Sequence, residues 1–212
     1  NGFTLDLIRC YERFGELIDW AMIILNPLEP WPGELGLDAA RDADVSVITR
    51  VVDYGGLFWG DLRPDTPLHE HDHRRFRPEG WIAAGLERVE RMRPIAARYG
   101  LSPLQLACQW NLAHPAVRCV VPTLIQEAGP GARPIEDKRR ELAGLPPEVL
   151  LEPNDVDSIR AIGDNTGCMS LKGASPEHEG PEAPDRWPLT DELAAAGSRY
   201  GVDPARDLVA RA

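Results

Sequence analysis

The sequence predicts an α/β fold of about three parallel strands with covering helices, and three observations carry that expectation. Short apolar runs, rich in β-branched residues, recur at Ala21 to Leu25, Val45 to Val51 and Val117 to Val121, which is the pattern of strands buried on both faces. Amphipathic helical stretches follow them. The order strand then helix repeats three times, which implies parallel strands joined by helical crossovers. Three strands do not protect both faces and both edges of a sheet, so a partner supplies the rest or the chain is a piece of a larger barrel or sheet.

Taken in order, Thr4 is a good N-cap for the stripe Leu5, Leu7, Ile8, Tyr11, Phe14, Leu17 and Ile18, the first helix. Ala21 to Leu25 is the first strand, closed by Asn26-Pro27 and a turn-rich Glu29 to Gly33. A short helix over Glu34 to Arg41 leads to the second strand, Val45 to Val51, which ends in a basic residue and then Gly55-Gly56. Glycines at such a place let backbone amides approach a ligand closely. Asp61 to Gly80 is a long polar loop without hydrophobic period. Leu86, Val89, Met92, Ile95 and Ala96 mark a strong amphipathic helix from Ile82 to Tyr99, stopped by Gly100. Ser102-Pro103 opens the next, an N-cap followed by proline at the first helical position, running to His114-Pro115. After the third strand come a charged helix over Pro134 to Leu145 and another capped by Asn154-Asp155 and running to Ile162. Asp164 to Thr190 reads as an irregular surface tail before a last weak helix near Leu193.

The 212 residues carry a formal net charge of -11 and are 43% hydrophobic, the composition of a soluble globular chain with material for a core. Acidity argues against nucleic acid or an anionic membrane as partner, since both call for a basic face. No window has the apolar length of a membrane span and no signal peptide is visible, although the chain begins at Asn1 and a segment ahead of it remains open. The four cysteines, Cys10, Cys108, Cys119 and Cys168, lie far apart without C-x-x-C spacing, so they read as reduced thiols in a cytoplasmic protein.

Several of these segments resemble the aldo-keto reductases, in the C-terminal part of their (β/α)8 barrel. The run Ser102-Pro-Leu-Gln-Leu-Ala-Cys-Gln-Trp-Asn-Leu-Ala-His-Pro115, followed by Val117 to Pro122, looks like that family's helix and eighth strand. Ile48 to Leu57 looks like the seventh strand, Ala21 to Asn26 the sixth, and Asn1-Gly2-Phe3 is similar to the close of the fifth. The resemblance implies a partial TIM barrel over residues 1–163, with 164–212 an irregular extension ending in a short helix.

The same resemblance implies NADP as cofactor, with a small carbonyl compound as substrate of the complete enzyme. The family's catalytic Asp, Tyr, Lys and His follow earlier strands, so no catalytic residue is assigned in this chain. Tyr54, Tyr99, Lys138, Lys172, His73 and His114 have the right chemistry but fall in segments matching other parts of the family. The cofactor positions are Asn1 for the carboxamide, Arg50 beside the nicotinamide or pyrophosphate, and Val51, Asp53 and Gly55 in the pyrophosphate loop. Met22 stands where the family often has a carboxamide-binding Gln, and Thr123 where a phosphate-binding Lys or Gly is common. Arg133, Glu136 and Asp137 resemble the Arg-x-x-Glu-Asn at the adenosine ribose, where an arginine favours a 2′-phosphate and hence NADP. Gln126 to Ala132 looks like an insertion, and Trp59 is the tryptophan considered for a substrate wall.

Two further readings stand beside this one. His69-Glu70-His71-Asp72-His73 places alternating histidines on one side of an extended loop, a zinc or nickel pattern, but no second ligand pair is evident and Arg74, Arg75 and Arg77 follow, so a solvated loop is expected and no metal is assigned. The other is a non-catalytic barrel remnant that binds a nucleotide or a partner protein at its exposed edge. Neither the substrate nor the oligomeric state is legible.

Overall fold

The computed structural model describes residues 4–129, 131–163 and 189–208. Three strands, β1 (Trp20–Ile24), β2 (Ser46–Arg50) and β3 (Val117–Val121), form one parallel sheet in sequence order, so β1 and β3 are its edges. Met22, Ile48 and Cys119 stand in one row across the sheet, and Ile24, Arg50 and Val121 in the next. A register shift at Val47/Ile48 absorbs one extra residue on β3.

Helices cover one face. Ile23, Val47, Thr49 and Val117 are buried there, against a core drawn from α1 (Thr4–Phe14), α2 (Leu37–Asp42), α3 (Trp81–Arg98) and α4 (Pro103–Leu112). The other face is the more open one: Trp20, Met22 and Val121 are 52%, 57% and 45% exposed, with Ile24, Ile48 and Cys119 half-buried among them. Alternation along the strands puts Trp20, Met22, Ile48 and Arg50 on this side.

The helices begin and end for local reasons. Ser102 accepts a hydrogen bond from the Gln105 amide while the Gln105 side chain accepts from the Ser102 amide, a reciprocal cap ahead of Pro103. Pro94 lies inside α3 without ending it. At α6 (Pro153–Gly163) the expected cap is displaced: Asn154 and Asp155 are inside the helix, Pro153 starts it, and Asp155 instead binds Arg98 and the Tyr99 hydroxyl. Thr4 is the first described residue of α1. The polar loop 61–80 contains a 3-10 turn, His73–Phe76, capped by Asp72.

α5 (Ile135–Ala143) follows β3, and α7 (Asp191–Arg199) packs on α1, with Arg199 bridging both carboxylate oxygens of Glu12 at 2.5 Å. A short α8 (Pro204–Asp207) comes after it. Cys168 and the tail 164–188 lie outside the described residues. No described helix is long and apolar enough to cross a membrane.

Gly163 closes α6 onto the loop after β1: a Cβ there would lie 1.7 Å from the Pro27 carbonyl oxygen and 2.8 Å from its carbon. Backbone cannot give way as a flexible side chain would, so Gly163→Ala is expected to cost about 1–3 kcal/mol. The check is a urea titration, with a lowered midpoint at unchanged slope expected; a midpoint equal to the parent's would mean that α6 does not dock at Pro27.

Candidate functional site

At the C-terminal ends of the strands the chain makes three loops, and polar groups tie them together. Behind β2 the backbone turns through four residues of positive φ: Val51 (61°), Tyr54 (49°), Gly55 (65°) and Gly56 (101°). For the β-branched Val51 this conformation costs roughly 1–2 kcal/mol and needs outside support. Asn26, at the end of β1, supplies part of it by donating from Nδ2 to the Val51 carbonyl at 3.0 Å and to Glu29 at 3.1 Å.

Asp53 supplies the second tie. Fully buried, it accepts the Thr123 amide through Oδ1 at 2.7 Å, joining the β2 loop to the end of β3. Its carbonyl accepts from the amides of Gly56 and Phe58, both at 3.2 Å. Oδ2 is buried with no partner. Burial pushes the Asp53 carboxyl above the usual carboxylate range, with the backbone amides of Thr123 and Gly56 opposing it. Arg74 supplies the third, reaching from the polar loop to the Gly55 carbonyl at 2.9 Å and to Glu127 at 2.6 and 3.0 Å, with Asp72 on its other side. Its burial alone would lower its pKa, but the hydrogen bonds it donates to Glu127 and Asp72 outweigh that and hold it raised.

The loop after β3 is fixed in the same manner. Trp59 Nε1 donates to the Thr123 carbonyl at 2.8 Å. Arg133 donates to the Trp59 carbonyl at 3.1 Å and to Glu141 at 2.6 Å. Beneath them Lys138 and Asp61 form an ion pair at 2.7 Å with both side chains wholly buried; Lys138 also donates to the Ile125 carbonyl at 2.6 Å and lies 5.4 Å from the Trp59 ring centre.

The structure therefore joins Val51, Asp53, Gly55, Thr123 and Arg133 in one bonded network at the strand ends. Arg50, the last residue of β2, stands exposed on the open face, its side chain without a partner among the described residues. Glu136 and Asp137 point to solvent on α5, Asp137 paired with Arg140. Asn1 lies outside the described residues. Trp59 is buried packing material joined to Thr123 rather than an open wall.

Neither Tyr54 nor Tyr99 is free for acid chemistry at these ends. Tyr54 is buried with its ring edge-on to Trp81, 6.0 Å between centres, and Tyr99 donates to Asp155 at 2.5 Å. His114 Nδ1 lies 2.9 Å from the Trp110 carbonyl, and burial lowers its pKa, so it caps α4 as a neutral ring. His69 and His71 face each other at 5.3 Å, and no three His, Cys, Asp or Glu side chains gather at metal spacing among the described residues.

Asn26, Arg74, Glu127, Asp61 and Lys138 were not expected at the site. The Asn26-Pro27 break after a strand was the one local signal for any of them. Arg74 and Glu127 are 53 positions apart, one in a loop that reads as solvated and the other in a stretch that reads as an insertion.

The sequence profile of the aldo/keto reductase family matches residues 19–128. No curated protein sequence matches the chain. Among solved structures, the apo form of aldo-keto reductase AKR11C1 from Bacillus halodurans is similar at 17% identity and TM-score 0.48, over 74% of this chain and 48% of that one. Glycerol dehydrogenase AKR11B4 from Gluconobacter oxydans is similar at 18% identity and TM-score 0.45, over 95% of this chain and 47% of that one. The chain thus spans about half the length of the solved structures it matches.

The two buried acids give opposite mutational signatures. Losing one partner of the Asp61–Lys138 pair strands a buried charge, so Lys138→Met is expected to cost about 3–5 kcal/mol, while Asp61→Leu with Lys138→Met recovers most of it. Denaturant titration of the single and double variants reads this; equal losses in both would mean that the pair itself stabilises. For Asp53 the folded carboxyl keeps its proton to higher pH than the unfolded one, so unfolding releases a proton in that window and its stabilisation fades as pH rises through the raised folded pKa. Asp53→Asn keeps the Oδ1 acceptor and cannot ionise, so its stability relative to the parent should rise as pH climbs from the ordinary carboxylate range through the raised folded pKa and level off above it. A pH-independent difference would contradict the buried, protonatable carboxyl.

Proposed function

The chain belongs to the aldo/keto reductase family, and from that premise we propose that it is the C-terminal part of an NADP-dependent carbonyl reductase or alcohol dehydrogenase barrel. The observation that carries this reading is the open sheet face that ends in an unpaired Arg50. In a closed barrel that face is the inner wall, and sites form at the C-terminal ends of its strands.

A nicotinamide cofactor, when bound, supplies the hydride exchanged with a carbonyl carbon. The residues present fit part of its cradle. Arg50 has a free guanidinium at the strand end for the pyrophosphate or the nicotinamide ring. Val51, Asp53 and Gly55 shape a glycine-bearing turn held from behind by Asn26, Thr123 and Arg74, so backbone groups there need no reordering to meet a phosphate. Arg133 uses Nη1 and Nη2 on Trp59 and Glu141 and keeps its Nε edge for a 2′-phosphate, which favours NADP. Thr123 presents an exposed side chain beside it, and Glu136 and Asp137 stand exposed on α5 for the ribose. With Tyr54 and Tyr99 committed elsewhere, the proton donor comes from outside these residues. A small carbonyl or alcohol is the substrate, and an acidic chain with free Cys10, Cys108 and Cys119 suits a cytoplasmic setting. Burial pushes the Cys108 thiol up to about 12, leaving it inert.

The test uses the protein expressed together with any residues encoded before Asn1. NADPH should bind at least about tenfold more tightly than NADH; Arg133→Leu should remove that difference by weakening NADPH alone, and Arg50→Leu should weaken both. Fluorescence titration of each cofactor reads the outcome. Equal affinities that Arg133→Leu leaves unchanged would contradict the NADP assignment, and no binding of either would favour a non-catalytic remnant.

A further inference from the structure

Between the polar loop and the start of α3 lies an open cavity of about 770 Å³ that the proposed cofactor contacts do not use. Leu68, Trp81 and Ile82 give it apolar wall, and Arg75, Arg77 and Glu79 give it charge. Arg74 also borders it but is committed to Asp72, Glu127 and the Gly55 carbonyl.

Arg77 is the unusual member. Its guanidinium carbon sits 4.3 Å from the Tyr54 ring centre and 5.0 Å from that of Trp81, which fixes the plane of the group between two aromatic residues. Nε and Nη1 are buried and have no hydrogen-bond partner. A cation with two N–H groups out of water and unpaired is left short of the interactions that ordinarily satisfy it. Arg75 is exposed on the same wall, and neither arginine forms an ion pair with Glu79 or any other described acid. At the cavity floor α3 begins at Gly80 (φ 78°) with no side-chain cap and no acid in its first turn. The 18-residue helix thus presents its positive end with Glu79, just ahead of the cap, as the nearest acid in sequence.

We propose that this cavity binds a small organic oxyanion, a phosphate monoester or a carboxylate on an apolar body. The anionic group pairs with Arg75 and with Nη2 of Arg77, the one terminal nitrogen of that guanidinium that is not buried, and the apolar body rests on Trp81, Leu68 and Ile82.

Phenyl phosphate, benzoate and neutral phenol are the probes, each titrated calorimetrically into the full protein, with Trp81 indole shifts followed by NMR. Saturable binding of phenyl phosphate or benzoate, with phenol much weaker, is expected, and whichever anion binds better identifies the source. Arg77→Gln should weaken it by at least about tenfold and Arg75→Gln by a few-fold, while Glu79→Gln should strengthen it. Arg50→Gln should leave it unchanged, and saturating NADPH should not displace the probe. Should Arg77→Gln fail to fold, Arg75→Gln and Glu79→Gln decide the matter by their opposite signs. Absence of saturable binding of both anions, or parental affinity in the arginine variants, would overturn the site. Displacement by NADPH would overturn its independence while leaving the cofactor assignment intact.

Discussion

A parallel sheet is stable when both faces are covered, and this sheet is covered on one. That single constraint orders the rest of the molecule. On the covered side the strands bury Ile23, Val47, Thr49 and Val117 beneath four helices, and α7 returns to brace α1. On the open side Trp20, Met22 and Val121 face solvent, each large apolar side chain forgoing roughly 1.5–3 kcal/mol that full burial would bring. Among the described residues β1 and β3 have no further strand beside them.

Polar ties between distant segments gather at the strand ends. Asn26, Thr123 and Arg74 hold the same turn from three different segments, and this turn carries the strained Val51. Below it the Asp61–Lys138 pair fastens α5 to the loop after β2. A turn fixed in this way is ordered before any ligand arrives, which removes part of the entropic cost of binding. The network looks inward to structure, and Arg50 looks outward to solvent.

Much of the architecture was legible because it rests on local pattern. The three apolar runs became three parallel strands, and Ser102-Pro103 opened α4 with the cap its spacing foretold. The Arg50 to Gly56 stretch was visible as a strand running into a glycine turn for the same reason. What stayed hidden depends on contacts between distant segments. Lys138 sits in a sequence as charged as any solvated helix, and nothing near it announces that it turns inward to Asp61. Arg133 read as a ligand contact because its neighbours match a motif, yet two of its nitrogens are spent on Trp59 and Glu141. Asn154-Asp155 read as a cap, and the tertiary pull of Arg98 and Tyr99 on Asp155 explains why it is not one.

The open face is the point on which the functional reading turns, since an inner barrel wall requires other strands to close over it. Sedimentation equilibrium of the 212-residue chain by itself tests this most directly. An uncovered apolar wall predicts an average mass that rises with concentration and falls back toward the monomer when Met22→Lys places a charge on that face. A single monomeric mass at every concentration, unchanged by Met22→Lys, would show that the face needs no cover and would contradict its assignment as a barrel interior.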